Sequence, residues 1–517
     1  MQRVRRIEMT TTSKFYVTTP IYYVNAAPHI GHAYTTVVAD CLARYWRDRG
    51  RRVYFLTGTD EHGQKIKKAA EEKGLAPLEF TNQVVPKFKS LWEKLNVSND
   101  DFIRTTEPRH REAVCKVLNI LNESGDLYEG KYGGWYCVPC ETFWADDQLM
   151  GGKCQDCQRA VEYIEEKNYF FRLSKYQGWL LQYLKEHPEF IFPETRFNEV
   201  KSFLENNRLT DLCISRPKSR LSWGIPLPFD QEHVTYVWFD ALINYISAIG
   251  FVNDRDKFNA LWPADCHIMA KDILRQHAIY WPIMLKAMGL PPPKMIVAHG
   301  WWKMGEIKMS KSLGNVVDPV EMIQHYGVDS FRYYLLRDVV FGLDGNFSTD
   351  SFEQRFNGDL ANDLGNLVYR TMNMVEKYLG GDIPQARELY FPSGIENQCL
   401  KDFILNSSAE RLDDRFTRFQ FTDALDDIWA VIKSANKFIE QMKPWILKKE
   451  NKITELYNFL SILLKVLSAS AFKIRPFMPA TATLIEEQIT GPALIKGKPI
   501  FPRLELVDRN RGSKRED

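Results

Sequence analysis

The 517-residue chain carries almost no net charge: 68 Lys and Arg stand against 66 Asp and Glu, leaving +2 at neutral pH. That balance excludes the broad basic footprint of a general nucleic-acid binder, so any RNA contact has to be local. No apolar run has transmembrane length; residues 459–474 come nearest, and Ser461, Lys465, Ser468, Ser470 and Lys473 interrupt them. The first dozen residues hold Arg3, Arg5 and Arg6 without an apolar core and do not read as a secretory signal. Internal repeats are also missing. Cysteine is sparse and uneven, nine residues with four in one cluster. An odd count of this kind argues against a disulfide frame and for a metal plus buried thiols in a reducing, cytoplasmic setting. What is present, 44% hydrophobic and 26% charged residues, is ordinary for a globular chain of two to four domains.

The chain is organised around residues 13–49. Phe15–Thr19 is β-rich and apolar, and Val37, Val38, Cys41, Leu42, Tyr45 and Trp46 mark one face of a helix that Gly50 ends. Val53–Thr57 reads as the next strand. His29, Gly31 and His32 fall at the start of that helix, where unpaired N–H groups and the helix dipole favour anions. Alone, such a pair is a capped helix start with two surface histidines. Far downstream, Lys308-Met309-Ser310-Lys311-Ser312 sets two ammonium groups three residues apart among small serines, followed by Gly314. Alone, that is a solvated lysine pair in a loop.

Cys137-Val138-Pro139-Cys140 and Cys154-Gln155-Asp156-Cys157 are separated by thirteen residues, the spacing of a knuckle with four thiolate ligands. A closed shell of four sulfurs leaves no position for a reactant, so the metal is structural, and zinc suits it better than iron. Redox pairs are the weaker reading, because both pairs lie in polar, glycine-containing loops.

Elsewhere the pattern is coarser. Residues 87–124 read as helical throughout, with Phe88, Leu91, Trp92, Leu95, Val114, Val117, Leu118 and Leu121 on apolar stripes. Asp60, in the loop Thr57–Gly63, is either a cap for the helical run 64–73 or a carboxylate facing a ligand at the strand end. The last third is helical, with a long helix opening over 359–370 and stripes over 422–441 and 456–472.

The segments at 29–32 and 308–312, both intact and in this order, resemble the HIGH and KMSKS signatures of class I aminoacyl-tRNA synthetases, in the branch that takes methionine. The resemblance implies an α/β, Rossmann-like parallel-sheet catalytic domain with a zinc-knuckle connective insert, followed by an all-α helix-bundle anticodon-binding domain. It divides the chain into an N-terminal extension (1–13), catalytic halves (14–113 and 227–347), the insert (114–226), the helical domain (348–507) and a tail (508–517). It gives ATP binding to His29, Gly31, His32, His299, Gly300, Lys308 and Lys311, of which His29, His32, Lys308 and Lys311 are catalytic. It gives methionine binding to Pro20, Ile21, Tyr23, Asp60, Trp238, Ala241, Leu242, Tyr245, Ile273 and His277, with Asp60 on the ammonium group. Ala270 and Gln276 stand where the family usually has glycine and phenylalanine. Asn366, Arg370 and Trp445 are implied as anticodon readers, and the metal ligands are Cys137, Cys140, Cys154 and Cys157. The expected partners are ATP with Mg²⁺, L-methionine and tRNA(Met), with no membrane and a monomeric enzyme.

The reaction that the resemblance implies is attack by the methionine carboxylate, ionised at neutral pH, on the α-phosphorus of ATP without a protein base, with catalysis expected from positioning and charge stabilisation. Aromatic walls suit a thioether, each sulfur–ring contact being worth roughly 0.3–1.5 kcal/mol. The insert has no room for a hydrolytic editing domain. Two other readings stay open at this point: a nucleotidylyltransferase on a similar fold, and a non-catalytic zinc-containing RNA-binding protein.

Overall fold

The computed structural model describes residues 13–138, 142–144, 149–155, 157–304, 307–308, 317–384, 389–391, 395–405, 409–490, 494 and 497–505. The chain folds into two compact units that divide between Gly300 and Trp301.

In the first unit, β1 (Lys14–Tyr23), helix α1 (Ile30–Asp48) and β2 (Arg52–Asp60) form the expected β-α-β unit. Helices α2 (Gln64–Glu71) and α3 (Pro77–Lys94), strand β3 (Asp101–Arg104) and helix α4 (Pro108–Glu123) follow. β3 corrects the helical reading of residues 87–124. A four-residue strand is too short to show a period of its own, and parallel pairing of Leu56–Thr59 with Asp101–Arg104 fixes it. At Gly58 a side chain would stand 2.1 Å from the carbonyl oxygen of Ile103, so only glycine lets the two strands approach.

The insert is built on β4 (Leu127–Cys137), β5 (Thr142–Trp144), β6 (Glu162–Phe171) and β8 (Leu212–Cys213), in the order β5-β4-β6-β8. Between them β7 (Ile191–Phe192) leaves that sheet and pairs in parallel with the core. A three-stranded antiparallel sheet joins β9 (Ser215–Pro217), β10 (Pro226–Leu227) and β11 (Asp230–Thr235). The chain then turns into the helix Val237–Leu242 and returns to the core as β12 (Cys266–Ala270) and β13 (Ile296–His299).

The core sheet has the order β3-β2-β1-β12-β13-β7, and its pairs are parallel. The strand order runs outward in opposite directions from β1 and β12. In an open sheet of this kind the crevice at the carboxyl ends of those two strands is where ligands bind. The head of α1 stands there.

The second unit begins with β14 (Trp302–Met304), β15 (Ile307–Lys308) and β16 (Gly345–Asn346), a small three-stranded sheet. The other named elements of this unit among the described residues are helices, including Asn366–Leu379, Phe421–Met442, Pro444–Lys449, Ile453–Ile474 and Pro479–Thr490. The stretch expected to open one long helix is a π-helix, Phe356–Gly365, which runs into the α-helix at Asn366. Its widened turns free carbonyls for side chains of the Phe421–Met442 helix: Trp429 Nε1 donates to Asp359 at 3.1 Å and Asn436 Nδ2 to Asp363 at 3.0 Å. The helix Ile453–Ile474 is long and apolar enough to cross a membrane, yet 67% of its apolar window is buried inside the protein, as in the core helix of a bundle.

Candidate active site

The two histidines at 29 and 32 cap the helix they begin. Nδ1 of His29 accepts the N–H of Gly31 at 3.1 Å, and Nδ1 of His32 accepts the N–H of His29 at 3.1 Å. Because both Nδ1 atoms accept, a neutral ring carries its proton on Nε2 in each case. The ring centroids are 3.9 Å apart. Gly31 makes this possible: a Cβ there would stand 2.9 Å from the His29 ring. Two imidazole N–H donors and a helix N-terminus therefore share one place at the crevice.

His299, at the end of β13, is buried. Its Nδ1 lies 2.7 Å from the carbonyl of Gly300, an acceptor, so Nε2 accepts from the hydroxyl of Thr35 at 2.7 Å. Thr35 belongs to α1, one turn past Gly31, so His299 ties the end of β13 to the first turns of α1. Burial pushes the His299 pKa down to about 4, against a smaller opposing hydrogen bond to Gly300, which keeps the ring neutral.

The residues expected to hold the amino acid assemble in two groups. Tyr23 and Asp60 close β1 and β2 and are paired across those strands. Asp60 is 7% exposed, and the N-cap of the following helix is Gly63, so the capping reading of Asp60 falls. Pro20 is buried and Ile21 follows it past an irregularity in the β1–β2 register. In the second group the Tyr245 hydroxyl and His277 Nε2 lie 2.7 Å apart, and His277 Nδ1 lies 2.8 Å from the carbonyl of Ile273. A carbonyl only accepts, so Nδ1 carries the proton and Tyr245 donates to Nε2. Burial lowers the His277 pKa to about 4, only partly opposed by the bond to Ile273. Trp238 stands edge-on to His277 at 6.4 Å. Ala241 and Leu242 are buried on the same helix as Trp238. Ile21, Tyr23, Trp238 and Ile273 all pack on one hydrophobic core.

His277, one of the expected residues, lies in a π-helical turn, Gln276–Tyr280, of a kind frequent at functional sites. Sequence reasoning missed His267, Glu61 and Asp240. His267 stacks on Tyr245 at 4.0 Å; its Nε2 accepts the indole N–H of Trp281 at 3.2 Å, so Nδ1 donates to Thr18 at 2.8 Å. Glu61, fully buried, is held by Arg104 through two bonds of 2.7 and 2.8 Å. Asp240 lies between His62 and His110. A polar residue inside an apolar run, as in Trp238-Phe239-Asp240-Ala241-Leu242, was the available signal.

In the insert, the sulfurs of Cys137, Cys154 and Cys157 all lie within 4.8 Å of one another, the first two fully buried. Cys137 and Cys157 are 3.4 Å apart, too far for a disulfide bond. Three converging thiols with this separation fit a metal ion. Cys140, expected as the fourth ligand, lies outside the described residues, as does Lys311. Lys308 is on β15, with its side chain not described. In the second unit Asn366 begins the Asn366–Leu379 helix, Arg370 donates to Glu440 at 2.6 Å, and Trp445 is 48% exposed just after Pro444.

The family described as "tRNA synthetases class I (M)" matches residues 15–372. The chain belongs to the class I tRNA synthetases. Within that class it falls among the methionine–tRNA ligases. It is 46% identical over 519 residues to the methionine–tRNA ligase of Clostridium acetobutylicum, covering 96% of this chain and 79% of that one. To the enzyme of Thermotoga maritima it is 45% identical over 521 residues, covering 96% and 81%. Its fold matches the Mycobacterium tuberculosis methionyl-tRNA synthetase in complex with methionyl-adenylate with a TM-score of 0.89 at 39% identity, over 95% of this chain and all 100% of that one. The free form of that enzyme matches with a TM-score of 0.83 at 36% identity, over 96% and 99%.

Proposed function

We propose that this chain activates L-methionine with ATP to methionyl-adenylate and transfers the methionyl group to tRNA(Met). The observation that carries the reading is the likeness, over nearly the whole chain, to a synthetase holding methionyl-adenylate. In the first step the methionine carboxylate attacks the α-phosphorus and pyrophosphate leaves. Asp60 takes the ammonium group. Tyr23, Trp238, Ala241, Leu242, Tyr245, Ile273 and His277, with Pro20 and Ile21, take the side chain. The Nε2–H groups of His29 and His32, with the α1 N-terminus and Gly31, hold the phosphates; His299 and Gly300 support that end. Lys308 and Lys311 stabilise charge on the phosphorus and the leaving pyrophosphate, with Mg²⁺ arriving on the nucleotide. In the second step a terminal ribose hydroxyl of the tRNA, the 2′-hydroxyl by class, attacks the activated carbonyl, forming the ester as the bond from that carbonyl to the phosphate oxygen breaks and AMP leaves.

Residues 14–113 and 227–347 form the catalytic domain and 114–226 the insert. There Cys137, Cys154 and Cys157, with Cys140, would hold one structural zinc ion, which stabilises the fold and takes no part in the chemistry. Residues 348–507 form the anticodon-binding domain, with Asn366, Arg370 and Trp445 as readers, in a cytoplasmic monomer.

The test is ATP–pyrophosphate exchange measured with each of the twenty amino acids, followed by charging of tRNA(Met). Exchange with methionine alone supports the reading. Its absence with methionine refutes it.

A further inference from the structure

Asp240 is 0% exposed, in the Val237–Leu242 helix, and bears an imidazole on each carboxylate oxygen. His62 Nδ1 donates to Oδ2 at 2.7 Å, and His110 Nε2 donates to Oδ1 at 2.7 Å. Burial alone would raise its pKa; the attraction of His62 and the bonds from both rings outweigh that and hold it at about 2. The group is therefore a carboxylate at neutral pH, in a place where an unpaired charge would be costly. The proposed chemistry uses none of the three residues.

What the carboxylate joins gives it a purpose. His62 stands two residues beyond Asp60, in the loop leaving β2. Trp223 grips that loop from another side: its indole N–H donates to the Glu61 carbonyl at 2.5 Å, and its own carbonyl accepts the Gly63 N–H at 3.3 Å. His110 is in the first turn of α4 and also lies 2.9 Å from the Ser247 hydroxyl. Asp240 itself is two residues from Trp238 and adjacent to Ala241.

We propose that Asp240 is a positioning residue for methionine, fixing through His62 and His110 the span between the Asp60 carboxylate and the Trp238–Leu242 wall. The inference rests on the reading of Asp60 and Trp238 as methionine contacts. An amino acid is gripped at two ends, here carried by segments far apart in the chain, and the grip is selective only when those segments are locked together. Charge-assisted hydrogen bonds in a dry interior lock them more strongly than neutral ones. A carboxylate accepts from both rings at once; an amide could not without a change of tautomer at one of them.

Amide substitutions test this because the Asn nitrogen mimics Nδ1 of histidine and the Gln nitrogen mimics Nε2. Asp240 takes Nδ1 of His62 but Nε2 of His110, so the conservative residue differs at the two positions. His62→Asn and His110→Gln keep the donor; His62→Gln and His110→Asn displace it. In ATP–pyrophosphate exchange the displaced variants should show a KM for methionine roughly tenfold above that of the retained variants, with KM for ATP moving less than about twofold. Either position alone ranks Asn against Gln, so one variant that fails to fold does not end the test. The same ranking at both positions, no difference between the amides, or a parallel rise in both KM values would overturn the proposal. Asp60→Asn is the control for the underlying reading. If it leaves the methionine KM unchanged, the pocket assignment falls and the inference with it; if it raises that KM while the amide ranking fails, only the inference falls.

Discussion

The backbone N–H of His29 donates to Nδ1 of His32 at 3.1 Å, so the second histidine of the motif holds the first in place while both keep a proton on Nε2. Capping uses Nδ1 of each ring and the proposed phosphate binding uses Nε2–H, so a substitution can separate the two. His29→Asn keeps a good N-cap acceptor for the Gly31 N–H but removes Nε2–H. Thermal unfolding should shift by less than about 0.5 kcal/mol. Adenylate formation should fall by roughly 100-fold, the usual loss when a donor to developing charge is removed. A rate loss no larger than the stability loss would reduce His29 to a cap.

The pH dependence of stability follows from three buried imidazoles. His267, His277 and His299 all have lowered pKa values, burial being the largest cause in each, and the last two are brought to about 4. Below the ordinary value of 6.5 the unfolded chain takes up protons that the folded chain refuses. Stability is therefore full above pH 6.5 and declines as the pH falls toward 4, by about 3 kcal/mol at pH 4 for a group shifted from 6.5 to about 4. Asp240 acts in the same direction further down: its depressed value of about 2 contributes stability that is present above 3.8 and lost as the pH falls through 2. Urea unfolding between pH 7.5 and 4.5 should show this slope, and His277→Gln should flatten it. An unchanged slope in that variant would mean His277 is not held neutral by burial.

The β-α-β opening and the helical last third were legible because each carries many turns of one period. β3 was not, being four residues whose strand state comes from its neighbour β2. The π-helical stretch Phe356–Gly365 has the composition of an α-helix, and two of its carbonyls accept side chains of another helix, long-range contacts that no local pattern encodes. The proposed methionine pocket rests on family resemblance: taken singly, Trp238 and Tyr245 look like core aromatics. The His62–Asp240–His110 cluster was invisible because its partners lie 178 and 130 residues apart, and no local pattern encodes that meeting.

Stripping the proposed zinc should loosen the insert. Cys137, Cys154 and Trp144 form a hydrophobic cluster separate from the main core, too small to fold without a staple. A chelator, or Cys154→Ser, should abolish hydrogen-exchange protection over residues 134–164 and lower the melting temperature. Unaltered melting with the metal removed would count against a structural site.

Lys311→Ala should separate binding from chemistry. A side chain that meets only the developing charge contributes to the transition state and not to the bound amino acid. The expected result is a fall in kcat for exchange of about 100-fold with KM for methionine within about twofold. Equal losses in both would refute the role given to Lys311.

Trp445 offers the same separation for the second substrate. Lys443 takes a left-handed conformation (φ 45°), Pro444 starts a new short helix, and the indole that follows is left 48% exposed. A base stacked on such a ring is worth roughly 1–3 kcal/mol, so Trp445→Ala should lower kcat/KM for tRNA(Met) by about 10- to 100-fold. Trp445→Phe keeps a stacking face and should recover part of that loss. Methionine-dependent exchange without tRNA should stay within about twofold in both variants, because no RNA base takes part in adenylate formation. If exchange falls together with charging, the indole supports the fold of the helical unit, and the anticodon assignment at Trp445 is lost.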